Sequence, residues 1–284
     1  MMDVSASEKY TYEKLQQKYL DFSHPRARVL FGDKAFDSTG KDMIVDDIHV
    51  ELSSGYEASV ASFRLYDSYD RTKSSFKFDQ VKKQIAMGNA LTIEMGYMGM
   101  TETVFVGFIS GVAFGFETGS LPYIEITAMD VKGVMMGGSY AAEIAAKSYA
   151  EAVKKVLQRT GENQLQRMGG ITGMDISETP DGKTITGGAN KSSPISIEMV
   201  SESDYEFVVR AAKRYNYEFF VDRGKVIFRP AKKDTSTLLK VSNRAGMRNF
   251  HIAYSITGVV GAIEARAMDA GKGEVISVQQ KFDN

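Results

Sequence analysis

The short sequence YDSYD places two carboxylates, Asp67 and Asp70, three positions apart. A pair of carboxylates can hydrolyse a glycosidic bond when burial raises the pKa of one of them. Here Arg71 and Lys73 follow directly, in a polar turn at the end of a predicted strand. This setting favours a solvated turn over a catalytic pair.

Other sequence motifs that could support chemistry are incomplete. The histidines His24, His49 and His251 form neither HExxH nor another paired metal spacing, so each is interpreted as an ordinary surface or core residue. Residues 182–184 read GKT, but a phosphate loop needs a glycine five positions earlier, where Ser177 stands. Calcium-loop and GxSxG patterns do not occur. The sequence therefore predicts no catalytic residue, no metal site and no cofactor.

The composition is that of a globular chain with one large or two modest domains. The 284 residues are 43% hydrophobic and 25% charged, and the net charge of -1 gives no field that attracts nucleic acid or an anionic membrane. No apolar run reaches the roughly 20 residues that span a bilayer, and the N-terminus has no secretory signal pattern. Cysteine is absent, which excludes disulfides and agrees with folding in the cytosol. We expect neither membrane insertion nor specific nucleic-acid binding.

Residues 1–25 are predicted to form an N-terminal arm with an amphipathic helix at 8–22, ended by Pro25. Such a helix docks either on its own domain or on a neighbouring subunit. In the second case its apolar stripe is a subunit interface, formed by Tyr12, Leu15, Tyr19 and Phe22.

Residues 26–140 contain several short strands separated by glycine turns, a pattern typical of a sandwich or barrel. One hairpin is predicted around residues 96–99. In the strand at 104–116, bulky apolar side chains alternate with a nearly bare face. That face indicates either a bent barrel strand or a surface that another subunit's backbone approaches closely. The second alternative makes three glycines interface residues, namely Gly107, Gly111 and Gly115.

A capped helix and linker are predicted over 141–170, and an inserted α+β piece over 171–238. The helix at 149–159 should begin with a capping box of Ser148 and Glu151, and a second box is formed by Ser203 and Glu206. Further turn signals are a helix C-cap at Gly161, a polar turn at residues 178–184 and a hairpin turn at Gly224.

Two stretches repeat one short strand. IEITAMD at residues 124–130 and IEARAMD at 263–269 agree at five of seven positions. A repeat of this kind predicts two copies of one module, the second lying in residues 239–284.

Two segments are locally basic, and such runs are either solvated faces or docking surfaces for a partner. The first segment comprises Arg71, Lys73, Lys77, Lys82 and Lys83. The second comprises Arg210, Lys213, Arg214, Arg223, Lys225 and Arg229.

Four segments occur in an order that resembles a known family. They are TVFVGFISGV, IEITAMDVKGVMM, the capped helix SYAEAVKKVLQRTG and the block from Ser203 to Pro230. This order resembles the phage late control D proteins, and it is similar to the N-terminal hub part of VgrG spike proteins and to the tail hubs of contractile phages. The resemblance runs from about Arg26 to Asp269.

The resemblance implies an α+β, mainly β, fold with two tube-like β-barrel modules and an inserted helix–hairpin piece. The first barrel is 26–140 and the second, partial, barrel is 239–284. Family members usually continue further, so we expect either a truncated chain or a separate chain that completes the second barrel. An open barrel leaves an unpaired edge that another subunit must cover.

The family's role is structural, so the resemblance supplies no catalytic residues. It implies a homotrimer whose six barrels form a pseudo-sixfold ring between a hexameric tail tube and a trimeric central spike. The implied partners are a tail tube protein or tube initiator, the spike protein, baseplate wedge proteins and a tape-measure protein. Assembly would occur in the bacterial cytoplasm, within a phage tail or phage-tail-like particle.

Two alternatives stay open. One is a hub-associated cell-wall hydrolase, which would need a buried carboxylate pair. The other is a receptor- or glycan-binding baseplate module, which would expose aromatic side chains in a groove.

Overall fold

The computed structural model describes residues 10–32, 34–36, 43–160, 171–180, 195–232, 238–239, 242, 246–247, 249–253, 261–269 and 271–281. The chain divides into two compact units, Met1–Leu238 and Leu239–Asn284. The predicted C-cap at Gly161 and residues 181–184 of the predicted turn lie outside the described residues. The domain limits given above stay predictions.

The described residues form four helices and sixteen strands, and the prediction of an α+β, mainly β, fold is confirmed. The helices are α1 Tyr12–Lys18, α2 Val131–Met135, α3 Tyr149–Thr160 and α4 Asp204–Tyr215. The strands of the first half are β1 Pro25–Phe31, β2 Lys34–Ala35, β3 Ile44–Glu51, β4 Val60–Tyr66, β5 Tyr69–Asp70, β6 Ser75–Phe76, β7 Ala90–Tyr97, β8 Met100–Gly115 and β9 Tyr123–Met129. The others are β10 Tyr140–Ala146, β11 Gly173–Ile176, β12 Ile195–Glu202, β13 Tyr217–Asp222, β14 Lys225–Pro230, β15 Ala262–Asp269 and β16 Glu274–Lys281. No described helix has the length and apolarity needed to cross a membrane.

The largest sheet has seven antiparallel strands in the order β2-β1-β7-β8-β9-β4-β3. Along β4, Ala61, Phe63 and Leu65 are buried, because alternate side chains point to one face. The ring of Phe31 in β1 lies 6.2 Å from that of Phe63, although three strands separate β1 from β4. The sheet therefore curls around its own core.

Strand β8 bends where it changes partners: residues up to Phe108 pair with β7, and residues from Phe108 onward pair with β9. The bare face of this strand is filled by its own chain. A Cβ atom at Gly107 would overlap the carbonyl oxygen of Met129, and one at Gly115 would overlap the ring of Tyr123. A Cβ atom at Gly111 would lie 2.6 Å from Oγ1 of Thr127. Each glycine thus has a packing reason within the chain.

The α+β part of the first unit has its own core. Strands β10 and β12 pair, β11-β14-β13 form a three-stranded sheet, and α3 and α4 pack against these strands. Phe207, Phe219 and Phe228 are among its fully buried side chains. The predicted hairpin at Gly224 is present, and its two turn residues have positive φ, 49° at Arg223 and 81° at Gly224, as a type I′ turn requires.

The helix ends agree only partly with the predictions. At α4, Glu206 N donates to Ser203 Oγ and Ser203 N donates to the Glu206 carboxylate, so the second capping box is confirmed. At α3, Glu151 N donates to Ser148 Oγ, but the Glu151 carboxylate accepts from Lys147 N, 2.8 Å away, so the first box is only half formed.

The N-terminal helix was predicted too long. It spans Tyr12–Lys18, and a 3-10 turn follows at Leu20–Phe22, where all three residues have positive φ. The chain therefore leaves the α-helical region well before Pro25, and the helix does not end because of that proline.

Both copies of the repeated heptad are strands, β9 and β15. In β9 the side chains of Ile124, Ile126 and Ala128 are buried in the first sheet's core. In the second unit, β15 pairs with β16 alone among the described strands, and Ile263 is 55% exposed. A two-stranded hairpin is marginally stable by itself, so its apolar face needs a cover.

Gly107→Ala should destabilise the first unit by about 1–3 kcal/mol, because the added Cβ must displace the Met129 backbone. The matched control is Gly99→Ala, where nothing lies within 4 Å of the added atom. Urea denaturation measures both. Equal midpoints for the two variants would contradict the close packing of β8 against β9.

Candidate functional site

The paired carboxylates form part of a turn. Asp70 Oδ1 accepts hydrogen bonds from Thr72 N at 2.9 Å and Lys73 N at 3.1 Å, and the Asp67 side chain is exposed. Within the described ranges, no group of three His, Cys, Asp or Glu residues could hold a metal ion. The arrangement at YDSYD stabilises a turn and offers no buried acid for hydrolysis.

The predicted N-terminal stripe docks on the β7–β8 hairpin of its own chain. The rings of Tyr19 and Phe22 lie 5.7 Å and 5.4 Å from the ring of Tyr97. Tyr12 lies 5.5 Å from Phe22, and Leu15 is half-buried. The structure thus brings the aromatic members of the stripe together; their role as a subunit interface, and that of the three glycines of β8, stays a prediction.

A charged contact fixes the end of this arm. Lys18 Nζ lies 2.6 Å from Glu102 Oε1, and the Tyr19 hydroxyl donates to the same oxygen at 3.2 Å. The hydrogen bond from Lys18 lowers the pKa of Glu102 below its usual value. Ionised Glu102 therefore favours the docked arm.

A buried ion pair lies where the curled sheet meets the α+β part. Asp130 follows β9, and its carboxylate accepts from Ser59 N and from Lys132 N, each at 2.9 Å. Lys132 Nζ lies 3.8 Å from the Asp130 carboxylate and donates to the carbonyl oxygens of Gly55 and Glu57. Burial raises the pKa of Asp130 and lowers that of Lys132, so each group needs its partner and its hydrogen bonds to stay charged.

This pair holds the segment between β3 and β4 against both cores. Within that segment, the Tyr56 hydroxyl donates to the carbonyl oxygen of Tyr217, and the Tyr56 carbonyl accepts from the Tyr205 hydroxyl. Val131 and Met135, on either side of Lys132, are buried in the α+β core, whereas Ala128 is buried in the sheet core. The first unit therefore presents its sheet and its α+β part in a fixed arrangement.

Five aromatic rings form a contiguous cluster at the C-terminal end of β8, here termed the aromatic end. The ring of Phe114 lies 5.0 Å from Phe76 and 5.4 Å from Phe78, and Tyr69 lies 5.1 Å from Phe76 and 5.4 Å from Phe116. Phe114 is 48% exposed and Phe116 is 64% exposed. Several exposed rings together are typical of an interaction surface.

Basic side chains flank the aromatic end. Arg71 and Lys73 lie in the turn that joins β5 to β6, and Lys77 lies between Phe76 and Phe78 in the sequence. Lys82 pairs with Asp79 at 2.7 Å, whereas Arg71, Lys77 and Lys83 have no ion pair among the described residues. The first basic segment noted in the sequence thus adjoins three of the clustered aromatic residues along the chain, Tyr69, Phe76 and Phe78.

Comparison with known proteins finds similarity at the level of structure. The chain matches no protein-family model and no curated protein sequence. A tail protein from Neisseria meningitidis MC58 has the same fold, with a TM-score of 0.55, 13% identity, and coverage of 91% of this chain and 68% of that one. The 43 kDa tail protein of prophage MuSo2 from Shewanella oneidensis has a TM-score of 0.49 and 14% identity. The match covers 74% of this chain and 56% of that one. A component of the type VI secretion system of E. coli has a TM-score of 0.38 and 11% identity. The match covers 81% of this chain and 57% of that one.

The chain thus spans just over half the length of the Shewanella protein. The comparison with the Neisseria tail protein shows a shared fold.

Lys132→Met should lower the free energy of unfolding by about 3–5 kcal/mol, because it leaves the Asp130 carboxylate buried without its partner. Asp130→Asn combined with Lys132→Met should be less destabilised than the sum of the single variants, with a coupling of about 0.5–3 kcal/mol. Urea denaturation measures the cycle, and exposed Lys154→Met is the control. Strictly additive single effects would contradict a coupled pair.

The docked arm should loosen as the pH falls below about 4.5, the usual pKa of Glu102. Docking of the arm lowers the pKa of Glu102, so the stabilisation of the docked arm by ionised Glu102 is complete above the usual pKa. This stabilisation is lost as the pH falls through the lowered pKa. Because Lys18 and Glu102 are partly exposed, the effect is at most about 1 kcal/mol.

A spin label at Glu13→Cys, in a chain without native cysteine, reports the mobility of the arm. In Glu102→Gln the label should be as mobile at every pH as it is in the wild type at low pH. An unchanged pH response in that variant would assign the titration to another group.

Proposed function

We propose that this chain is a structural tail hub. Three copies trimerise into a pseudo-sixfold ring that joins a hexameric tail tube to the trimeric central spike of a contractile injection particle. Each copy contributes two related β modules, so three copies match six tube subunits on one side and three spike subunits on the other.

The observation that carries this proposal is the repeated heptad, which forms a strand in each unit and ends in an aspartate whose side chain makes the same local hydrogen bond. Asp130 and Asp269 are the last residues of the two copies. Each accepts a hydrogen bond from the backbone N–H two residues further on, Lys132 N at 2.9 Å and Gly271 N at 2.9 Å. The same residue types and the same aspartate hydrogen bond, found at the ends of both heptads, support a duplicated module.

The two copies differ in what surrounds them. Helix α2 follows β9, whereas a turn and β16 follow β15, and only the first copy lies within a seven-stranded sheet of the described residues. In the proposal, the exposed apolar face of the β15–β16 hairpin is covered in the assembled ring. The shared fold with the Neisseria tail protein supports a structural role in a tail.

The proposal assigns no catalytic activity. The partners are a tube protein or tube initiator, the spike, baseplate wedge proteins and a tape-measure protein. The chain would be made and assembled in the bacterial cytoplasm and would function within the tail or tail-like particle.

Native mass spectrometry of the purified chain, alone and with its cognate tube protein, tests the proposal. We expect a three-copy species, seen in negative stain as a ring with a central hole, that binds the tube protein. A monomer in both conditions would contradict the hub assignment. Clearing of peptidoglycan in a zymogram would favour the hydrolase alternative instead.

A further inference from the structure

The described part of the N-terminal arm lies on the surface of the first unit and buries none of its side chains. No residue of α1 or of the 3-10 turn at Leu20–Phe22 is buried, and Leu20 is 48% exposed. At the start of the arm, Tyr10 N donates to the carbonyl oxygen of Leu238 at 2.8 Å. Because stability rises with buried apolar area, so shallow an attachment can open while the sheet stays folded.

The connection from the arm to β1 is held in an unfavourable backbone conformation. Four of its residues have positive φ, between 49° and 55°, namely Leu20, Asp21, Phe22 and His24. In a residue with a side chain this conformation brings Cβ close to the following carbonyl oxygen, and leucine and phenylalanine tolerate it poorly. It persists only while surrounding contacts hold it. The connection therefore relaxes when the arm leaves its own chain.

Side-chain contacts with the β7–β8 hairpin hold the arm in place. Tyr19 and Phe22 pack on Tyr97, while Lys18 and the Tyr19 hydroxyl bind the Glu102 carboxylate. All these contacts lie between the arm and the hairpin, so the arm of another copy can make them without a change in either surface. A departing arm exposes Tyr97 and Glu102, and the surface that fits them is a second arm.

We propose that the arm is exchanged between copies, so that the arm of each copy docks on the β7–β8 hairpin of the next. The exchange keeps the contacts of the docked arm and releases the left-handed connection at residues 20–24. Short connections under strain favour such an exchange. Each copy gives its arm to one neighbour and receives an arm from the other, so the contacts can close into a ring. The exchange deepens the proposed hub and rests on it only for the number of copies.

Cross-linking of two variants expressed together tests the exchange in a chain that has no native cysteine. One variant carries Lys18→Cys in the arm, and the other carries Glu102→Cys in the hairpin. The tips of the native side chains lie 2.6 Å apart, so a short bismaleimide can span the replaced ion pair. A partly exposed ion pair contributes little, and the aromatic contacts remain, so docking should survive both changes. We expect a bond between positions 18 and 102, which must join two different chains, in mass spectra of the linked peptides.

Two controls accompany this experiment. A single chain with both Lys18→Cys and Glu102→Cys calibrates the chemistry, because its 18–102 bond forms whether or not the arm is exchanged. The matched negative control pairs Glu102→Cys with Lys154→Cys, an exposed lysine of α3, and should give no bond between chains.

Leu20→Asn, added to the Lys18→Cys chain, tests the strained connection. Asparagine tolerates the left-handed conformation, so the change stabilises the arm on its own chain and should lower the yield of the bond between chains by about threefold or more. Leu20 is largely exposed, so the fold should be retained, which circular dichroism checks. Ser74→Asn, at a left-handed residue of the β5–β6 turn with φ 50°, should leave the yield unchanged. Equal yields in the two variants would contradict release of strain as the driving force.

The outcomes separate the exchange from the hub. If the 18–102 bond forms only within the doubly substituted chain, the exchange is wrong, and a three-copy species in native mass spectrometry would leave the hub standing. Bonds between chains in a species of only two copies would support the exchange and contradict the ring of three. A chain that stays monomeric, alone and with its tube protein, would contradict both.

Discussion

The ammonium group of Lys132 is the point on which the arrangement of the first unit depends. It is fully buried, it faces the Asp130 carboxylate, and it donates to two backbone carbonyls of the segment that precedes β4. A buried charge is tolerated only when such partners are present, so the sequence at this point allows few alternatives. Because Asp130 ends a sheet strand and Val131 enters the α+β core, the pair fixes how the two parts meet.

A fixed arrangement is what a ring subunit needs. If the sheet moved relative to the α+β part, the surfaces on these two parts could not keep the same spacing from copy to copy of the proposed hub. The curled sheet adds to this rigidity, because β8 pairs with β7 along its first half and with β9 along its second. The glycines of β8 permit the close approach of Met129 and Tyr123.

Local signals predicted a large share of the fold. The capping box at Ser203, the turn at Gly224 and the strand character of the repeated heptads follow from residue types a few positions apart. The end of α1 did not follow, because Phe22, one of the left-handed residues after it, packs on Tyr97, which is far away in sequence. Likewise, the Glu151 carboxylate accepts from Lys147 N, because the chain before the helix brings that amide within reach.

The candidate site was less accessible to sequence reasoning. The alternation of β8 placed Phe114 and Phe116 on one face, but only the fold brings them beside Tyr69, Phe76 and Phe78. Nothing in the sequence around Lys132 distinguishes a buried lysine from an exposed one. The one available clue was Asp130, which closes the repeated heptad and recurs as Asp269.

The measurement that tests the central claim most directly is a cryo-electron microscopy reconstruction of the chain bound to the end of its cognate tube. The hub account predicts three copies whose six β modules form one ring in register with six tube subunits. A different copy number, or β modules that lie away from the tube axis, would contradict it.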